Sequence, residues 1–180
     1  MSNWPLLSVL IWLPILGGAL VLALGNARAG AARWLGFAVA VLTFVFSLGL
    51  LSGFDYANPG LQFIESRAWI PSFDIHYNLG ADGIAVALLL LNTLITVLTL
   101  AGAWGSVNKR VAQYVAAFLI LEGLTNGIFA ASDAVLFYVF FEAMLIPMFL
   151  IIGVWGGPRR IYAALKFFLY TFLGSVLMLV

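Results

Sequence analysis

Three ionisable residues stand inside long apolar runs of this sequence: Glu122, Glu142 and Lys166. A charge placed in bilayer hydrocarbon costs on the order of a few kcal/mol, so such groups usually face a bundle interior or a hydrated path and serve proton or ion movement. Glu142 lies in Phe137-Tyr138-Val139-Phe140-Phe141-Glu142-Ala143-Met144-Leu145-Ile146-Pro147, close to the centre of its run. One turn away on either side lie Tyr138, Val139, Leu145 and Ile146, and of these only Tyr138 offers a hydrogen bond. Low dielectric favours a neutral carboxyl and a cation elsewhere an ionised one, and a group that carries protons needs that balance. The alternative is a carboxyl kept neutral and hydrogen-bonded between helices. Pro147 has no N–H for the carbonyl of Ala143 and its ring crowds that turn, so a kink or loosened turn is expected beside Glu142; a purely packing role for Pro147 stays open.

Glu122 is followed by Thr125 and Asn126 at helical spacing, which gives one face of its segment a polar stripe. Only Ser132-Asp133 separates that segment from the next, so the two are antiparallel neighbours. Counting back from the turn puts Glu122 and Glu142 at a similar depth, roughly 13–16 Å. Two carboxyls at one level suit proton relay or cation binding, provided that they face each other rather than different neighbours. Lys166 lies near the end of its segment, at a depth of about 7–8 Å. It is a relay candidate flanked by Tyr162 and Tyr170, or a side chain that snorkels to the interface.

The rest of the composition narrows the chemistry. Hydrophobic residues make up 64% of the 180 and charged residues 8%, against about half and a quarter in a soluble domain. There are no cysteines and one histidine, His76. That excludes disulfides, thiolate metal sites and cysteine nucleophiles, and one His cannot supply a bis-histidine haem site. No basic run exists to bind nucleic acid, and Gly153, Gly156 and Gly157 sit at a helix end rather than in a nucleotide loop.

The elements that must hold these groups are segments of about 20 apolar residues, the length of a membrane-spanning helix. They fall at Trp4–Leu24, Ala32–Gly53, Ala81–Trp104, Val111–Ala131, Ala134–Trp155 and Ile161–Val180, with turn formers between them. The expectation is an all-α polytopic bundle of about six transmembrane helices over residues 1–180, since long unalternating runs do not suit barrel strands. Ala27-Arg28-Ala29 resembles a signal-peptide cleavage site, but the run before it is too long and lacks a basic start, which favours a retained helix. Arg28, Arg33, Lys109, Arg110, Arg159 and Arg160 occupy alternate loops, and Asp55, Glu65, Asp74, Asp82 and Asp133 the opposite ones, with Arg67. The positive-inside rule therefore puts the N-terminus outside. The outer loop, 54–80, carries Phe63, Ile64, Trp69, Ile70, Phe73 and Ile75 around Pro71, a pattern expected to form a short extended or hairpin cover with His76 in a stabilising role. Asn92, Thr96 and Thr99 share a face suited to helix contact, and Gly17-Gly18 permits close packing. Asp133 or Ser132 is expected to cap the fifth helix, and Trp4, Trp104 and Trp155 fit interface anchors. Val180 ends an apolar run without a polar flank, and the chain is expected to be the front part of a longer polypeptide.

The run from Phe137 to Met148, with Leu150-Ile151-Ile152-Gly153-Val154-Trp155-Gly156, Arg160, Tyr162-Ala163-Ala164, and Lys166-Phe167-Phe168-Leu169-Tyr170-Thr171, closely resembles the antiporter-like membrane subunits of the proton-pumping NADH–quinone oxidoreductase, respiratory complex I. The resemblance implies about fourteen helices built on two inverted five-helix repeats. It also implies protons moved through a glutamate, at the position of Glu142, paired with a lysine in a helix beyond Val180. No redox centre is expected in this chain: NADH, FMN, iron–sulfur clusters and quinone belong to partner subunits, and the partners are other membrane subunits, lipid and protons. A bacterial cytoplasmic membrane is the expected location, with the mitochondrial inner membrane as the other setting. A Mrp-type cation/proton antiporter subunit shares the same core, and a structural subunit whose buried charges only guide assembly is a further alternative.

Overall fold

The computed structural model of the chain describes residues 5–58, 60–70 and 75–179; expectations that rest on Trp4, Pro59, Pro71, Phe73, Asp74 and Val180 lie outside these. Six helices long and apolar enough to cross a membrane make up most of the described chain. They are α1 (Leu6–Leu24), α2 (Ala29–Gly53), α3 (Gly83–Gly102), α4 (Val111–Ala130), α5 (Ala134–Trp155) and α6 (Arg160–Leu179). The protein is thus a polytopic all-α membrane protein. The largest departure from the expected spans is at α2, which begins earlier because a 3-10 turn at Asn26–Arg28 runs directly into it. Two strands, β1 (Gln62–Ile70) and β2 (Ile75–Ala81), form an antiparallel pair between α2 and α3.

Helix α4 is the centre of the bundle and packs on α1, α2, α3 and α5, most extensively on α1. It is the least apolar and the most buried of the six. A helix walled by other helices can carry polar residues that lipid would not tolerate, which is why Glu122 and Asn126 are affordable there. The close fit to α1 depends on two glycines. A Cβ on Gly18 of α1 would stand 3.0 Å from the carbonyl oxygen of Ala116, and one on Gly123 of α4 would collide with the carbonyl oxygen of Ile11. Small residues let the backbones approach where van der Waals contact, rather than water exclusion, holds helices together. The apolar core forms two clusters. One, at the strand end, holds Leu7, Leu10, Ile11, Leu50, Leu89, Leu136 and Phe140. The other holds Val21, Ala40, Leu100, Val115 and Leu119 towards the opposite end.

That opposite end gathers the basic loops. Arg33 donates to the carbonyl of Val107 at 2.5 Å and to Asn108 at 3.2 Å. Asn26 accepts from the backbone of Ala112 at 3.1 Å, and the Trp155 indole donates to the carbonyl of Lys109 at 3.0 Å. Trp104 stacks edge-on against Trp34 and Phe37. At the strand end, Ser132 donates its backbone N–H to Asn78 at 3.0 Å, and Asp133 caps α5 by accepting from Val135 and Leu136 at 2.9 and 3.0 Å. Asp82 caps α3 in the same manner, through Ala85.

The strand pair also caps α1, a role the sequence reading did not assign. Pro5 precedes α1 and supplies no side-chain cap. Glu65 does so from β1: one carboxylate oxygen accepts from the backbone of Leu7 at 2.8 Å, and the other from the Ser8 hydroxyl. Tyr77 of β2 adjoins Ser8 at 3.2 Å and receives the Trp12 indole N–H at 3.3 Å. An acid meeting the first turn of a helix satisfies unpaired N–H groups and complements the helix dipole. The register slips between Gln62 and Glu65, where Phe63 takes a left-handed φ of 55°. Such a bulge re-aims the side chains that follow it, here Glu65.

Candidate functional site

Glu142 lies midway along α5, half-buried, on the side that meets α6. Its carboxylate accepts a hydrogen bond from the hydroxyl of Ser175, itself 4% exposed. The same hydroxyl lies 2.8 Å from the carbonyl oxygen of Phe172. Tyr138, one turn before Glu142 on α5, stands beside this pair. Ser175 was the residue missed in the sequence. It lies about as far beyond the Gly156–Arg159 turn as Glu142 lies before it, so depth counting between these antiparallel helices would have paired them. Helix α5 runs continuously through Pro147, which is buried. Proline has no N–H, so it makes no intrahelical bond to Ala143.

Glu122 occupies the centre of α4 at 1% exposure, and neither of its carboxylate oxygens has a hydrogen-bond partner among the described residues. It lines a cavity of about 350 Å³ between α3, α4, α5 and α6, whose polar wall is Asn92, Thr96, Thr99, Thr125 and Thr171. Met144, Met148 and Phe167 close the apolar side. Unpaired carboxylate charge in such a place costs several kcal/mol after relaxation. Asn126, one turn on, does not share it. Its amide donates to the carbonyl of Leu10 in α1 at 2.9 Å and accepts from Asn92 at 2.8 Å, while Asn92 also donates to the backbone carbonyl of Glu122 at 3.1 Å. The polar stripe therefore divides between a locked amide pair and a buried carboxyl with no hydrogen bond among the described residues. Asn92, Thr96 and Thr99, read in the sequence as helix-contact residues, all wall the Glu122 cavity as well.

The two acids share a depth but not a site. Met144 faces the Glu122 cavity, and Glu142, two residues earlier on α5, projects away from it towards Ser175. Lys166 is brought to neither. It is exposed on α6, half a helical turn out of phase with Ser175, with its ammonium 5.7 and 5.4 Å from the ring centroids of Tyr162 and Tyr170. There it lines a groove at the basic end with Ile152, Pro158, Arg159 and Arg160.

Several known proteins are similar to this chain in sequence or fold. Residues 131–180 match the transmembrane family described as NADH:quinone oxidoreductase/Mrp antiporter. The chain is 55% identical to NADH-quinone oxidoreductase subunit M of Rhodobacter capsulatus over 97% of its own length and 34% of that protein's. It is 43% identical to NADH-ubiquinone oxidoreductase chain 4 of Arabidopsis thaliana over 96% and 35%. Among solved structures, a chain of respiratory complex I from Thermus thermophilus superposes with a TM-score of 0.81 at 33% identity, covering 96% of this chain and 34% of that one. A chain of an archaeal membrane-bound sulfane sulfur reductase shares the fold at 17% identity, with a TM-score of 0.74 and coverage of 99% and 26%. The chain spans about a third of the length of the curated relatives it matches. Over residues 131–180 the chain thus matches the NADH:quinone oxidoreductase/Mrp antiporter transmembrane family, and over nearly all its length it is similar to part of the relatives named above.

Proposed function

We propose that this chain forms part of the proton-translocating membrane arm of an NADH–quinone oxidoreductase, with Glu142 as a proton-transfer group. The observation that carries this reading is a titratable carboxyl at mid-membrane depth that accepts the Ser175 hydroxyl of α6, with Tyr138 of its own helix beside it. Mobile hydroxyl dipoles serve either protonation state of such a group, which a fixed ion pair would not. Glu122, unpaired beside a cavity with room for water, is the second proton carrier in this reading. Lys166 serves it only as an entry or exit group at the basic groove. Electron transfer from NADH through FMN and iron–sulfur clusters to quinone belongs to other subunits, which are this chain's partners along with lipid. The basic loops face the cytoplasm of a bacterium, or the equivalent mitochondrial matrix, with the N-terminus on the other side.

The test is Glu142→Gln in the assembled respiratory complex, with NADH–quinone turnover and membrane potential measured together. Both are expected to fall about a hundredfold or more if proton transfer at this site is obligatory. Normal coupled pumping would remove Glu142 from the mechanism. The matched family also covers Mrp antiporters; sodium-driven proton movement without any response to NADH would favour that reading.

A further inference from the structure

The two acids are separated by α5, so a proton passing between them must go round that helix. Helix α6 offers the way. Thr171 lines the Glu122 cavity and Ser175 bonds Glu142. The two are one helical turn apart on the same face, with Cβ atoms about 5–6 Å apart, a gap of the size one water would span. We propose that Thr171 and Ser175 form a hydroxyl bridge that carries protons between the Glu122 cavity and Glu142. This inference rests on the proton-handling role of Glu142 and assigns it a connected path.

The transfer balances without any further reactant. Ser175 gives its hydroxyl proton to the Glu142 carboxylate and takes one from the water or hydroxyl on its Thr171 side. Thr171 in turn is recharged from the cavity, and Glu122 changes from carboxylic acid to carboxylate as Glu142 changes the other way. The second interaction of Ser175, with the Phe172 carbonyl, gives its hydroxyl a resting orientation while the proton chain re-forms. The cavity supplies the remaining length, since its volume admits several waters and its threonines give them partners. A direct path is blocked by Met144 and Met148, whose thioethers are at best weak acceptors and carry no proton.

The experiment uses the intact complex. Thr171→Val, which keeps the shape and removes the hydroxyl, and Ser175→Ala are compared with the hydroxyl-retaining Thr171→Ser and Ser175→Thr. NADH–quinone turnover, proton pumping and the solvent deuterium isotope effect are measured at equal amounts of assembled enzyme. Loss of either hydroxyl is expected to lower pumping about tenfold or more, with the double variant no worse than the slower single one and the conservative pair restoring it. Should Ser175→Ala prevent assembly, Ser175→Cys keeps the size with a weak donor and is expected to pump slowly with a larger isotope effect. Wild-type pumping in Thr171→Val, or in Ser175→Ala or Ser175→Cys, overturns the bridge. Glu142→Gln in the same series separates the two claims. If it abolishes pumping while the hydroxyl variants pump normally, only the bridge fails; if it pumps normally, the reading on which the bridge depends fails first.

Discussion

At the scale of single residues, the bundle interior holds two kinds of polar group, and they differ in what they would lose on substitution. Asn126 is fully buried and bonded on both sides, to Leu10 and to Asn92. Replacing it with Leu strands the buried carbonyl of Leu10, worth about 1–3 kcal/mol, and leaves the Asn92 amide with only the Glu122 carbonyl. Asn126→Leu is therefore expected to lower the thermal unfolding midpoint of the detergent-solubilised protein clearly. Glu122, a turn away, has no such bonds to lose among the described residues, so Glu122→Gln should leave that midpoint nearly unchanged while, on the function proposed above, slowing proton movement in the assembled complex. A large loss of stability from Glu122→Gln would return that residue to an architectural role. The distinction was only half legible in the sequence. Spacing placed Glu122, Thr125 and Asn126 on one face, and depth counting set Glu142 level with Glu122. Neither reports rotation about the axis, which decides that Asn126 turns to α1, that Glu122 lies buried beside a cavity and that Glu142 turns away to Ser175. A lone serine in an apolar helix carries no signal of its own until its neighbour is known.

At the scale of elements, glycine and a borrowed cap set the geometry. Gly123→Ala puts a methyl into the backbone of α1 at Ile11, where no flexible side chain can yield. Overpacking of this kind costs about 1–3 kcal/mol, and the expected readout is a lowered unfolding midpoint. The same change at Gly102, whose added Cβ meets nothing, should be silent. Glu65→Gln keeps the shape of the α1 cap and removes its charge. Hydrogen bonds to a charged group are worth about 1.5–3 kcal/mol, so part of that amount should be lost, with protease sensitivity rising at the start of α1. Helix lengths and turns were readable because about 20 apolar residues punctuated by Gly, Pro and Asn leave little choice. The strand pair was readable as a surface cover, but its grip on α1 was not. That grip depends on a bulge at Phe63 aiming Glu65 at a helix distant in sequence.

At the scale of the whole molecule, the charge segregation read from the loops corresponds to two chemically distinct ends, one tied by Arg33, Asn26 and Trp155, the other by strands and acidic caps. Because the sequence has no cysteine, single cysteines report sidedness cleanly. Ser66→Cys is expected to react with an impermeant maleimide in intact cells, and Ser106→Cys only after the membrane is opened. The reverse pattern would invert the orientation.

The dense contact between α1 and α4 also bears on how the chain is made. Helices leave the ribosome in order, N-terminal first, so α1 enters the bilayer well before its most extensive partner exists. Until α4 arrives, the face at Gly18 lacks that partner, while α2 and the strand pair are already made. The cap from Glu65 comes earlier in synthesis than α4 and fixes one end of α1 while it waits. A cap in place that early would serve α1 as a mooring while the bundle closes.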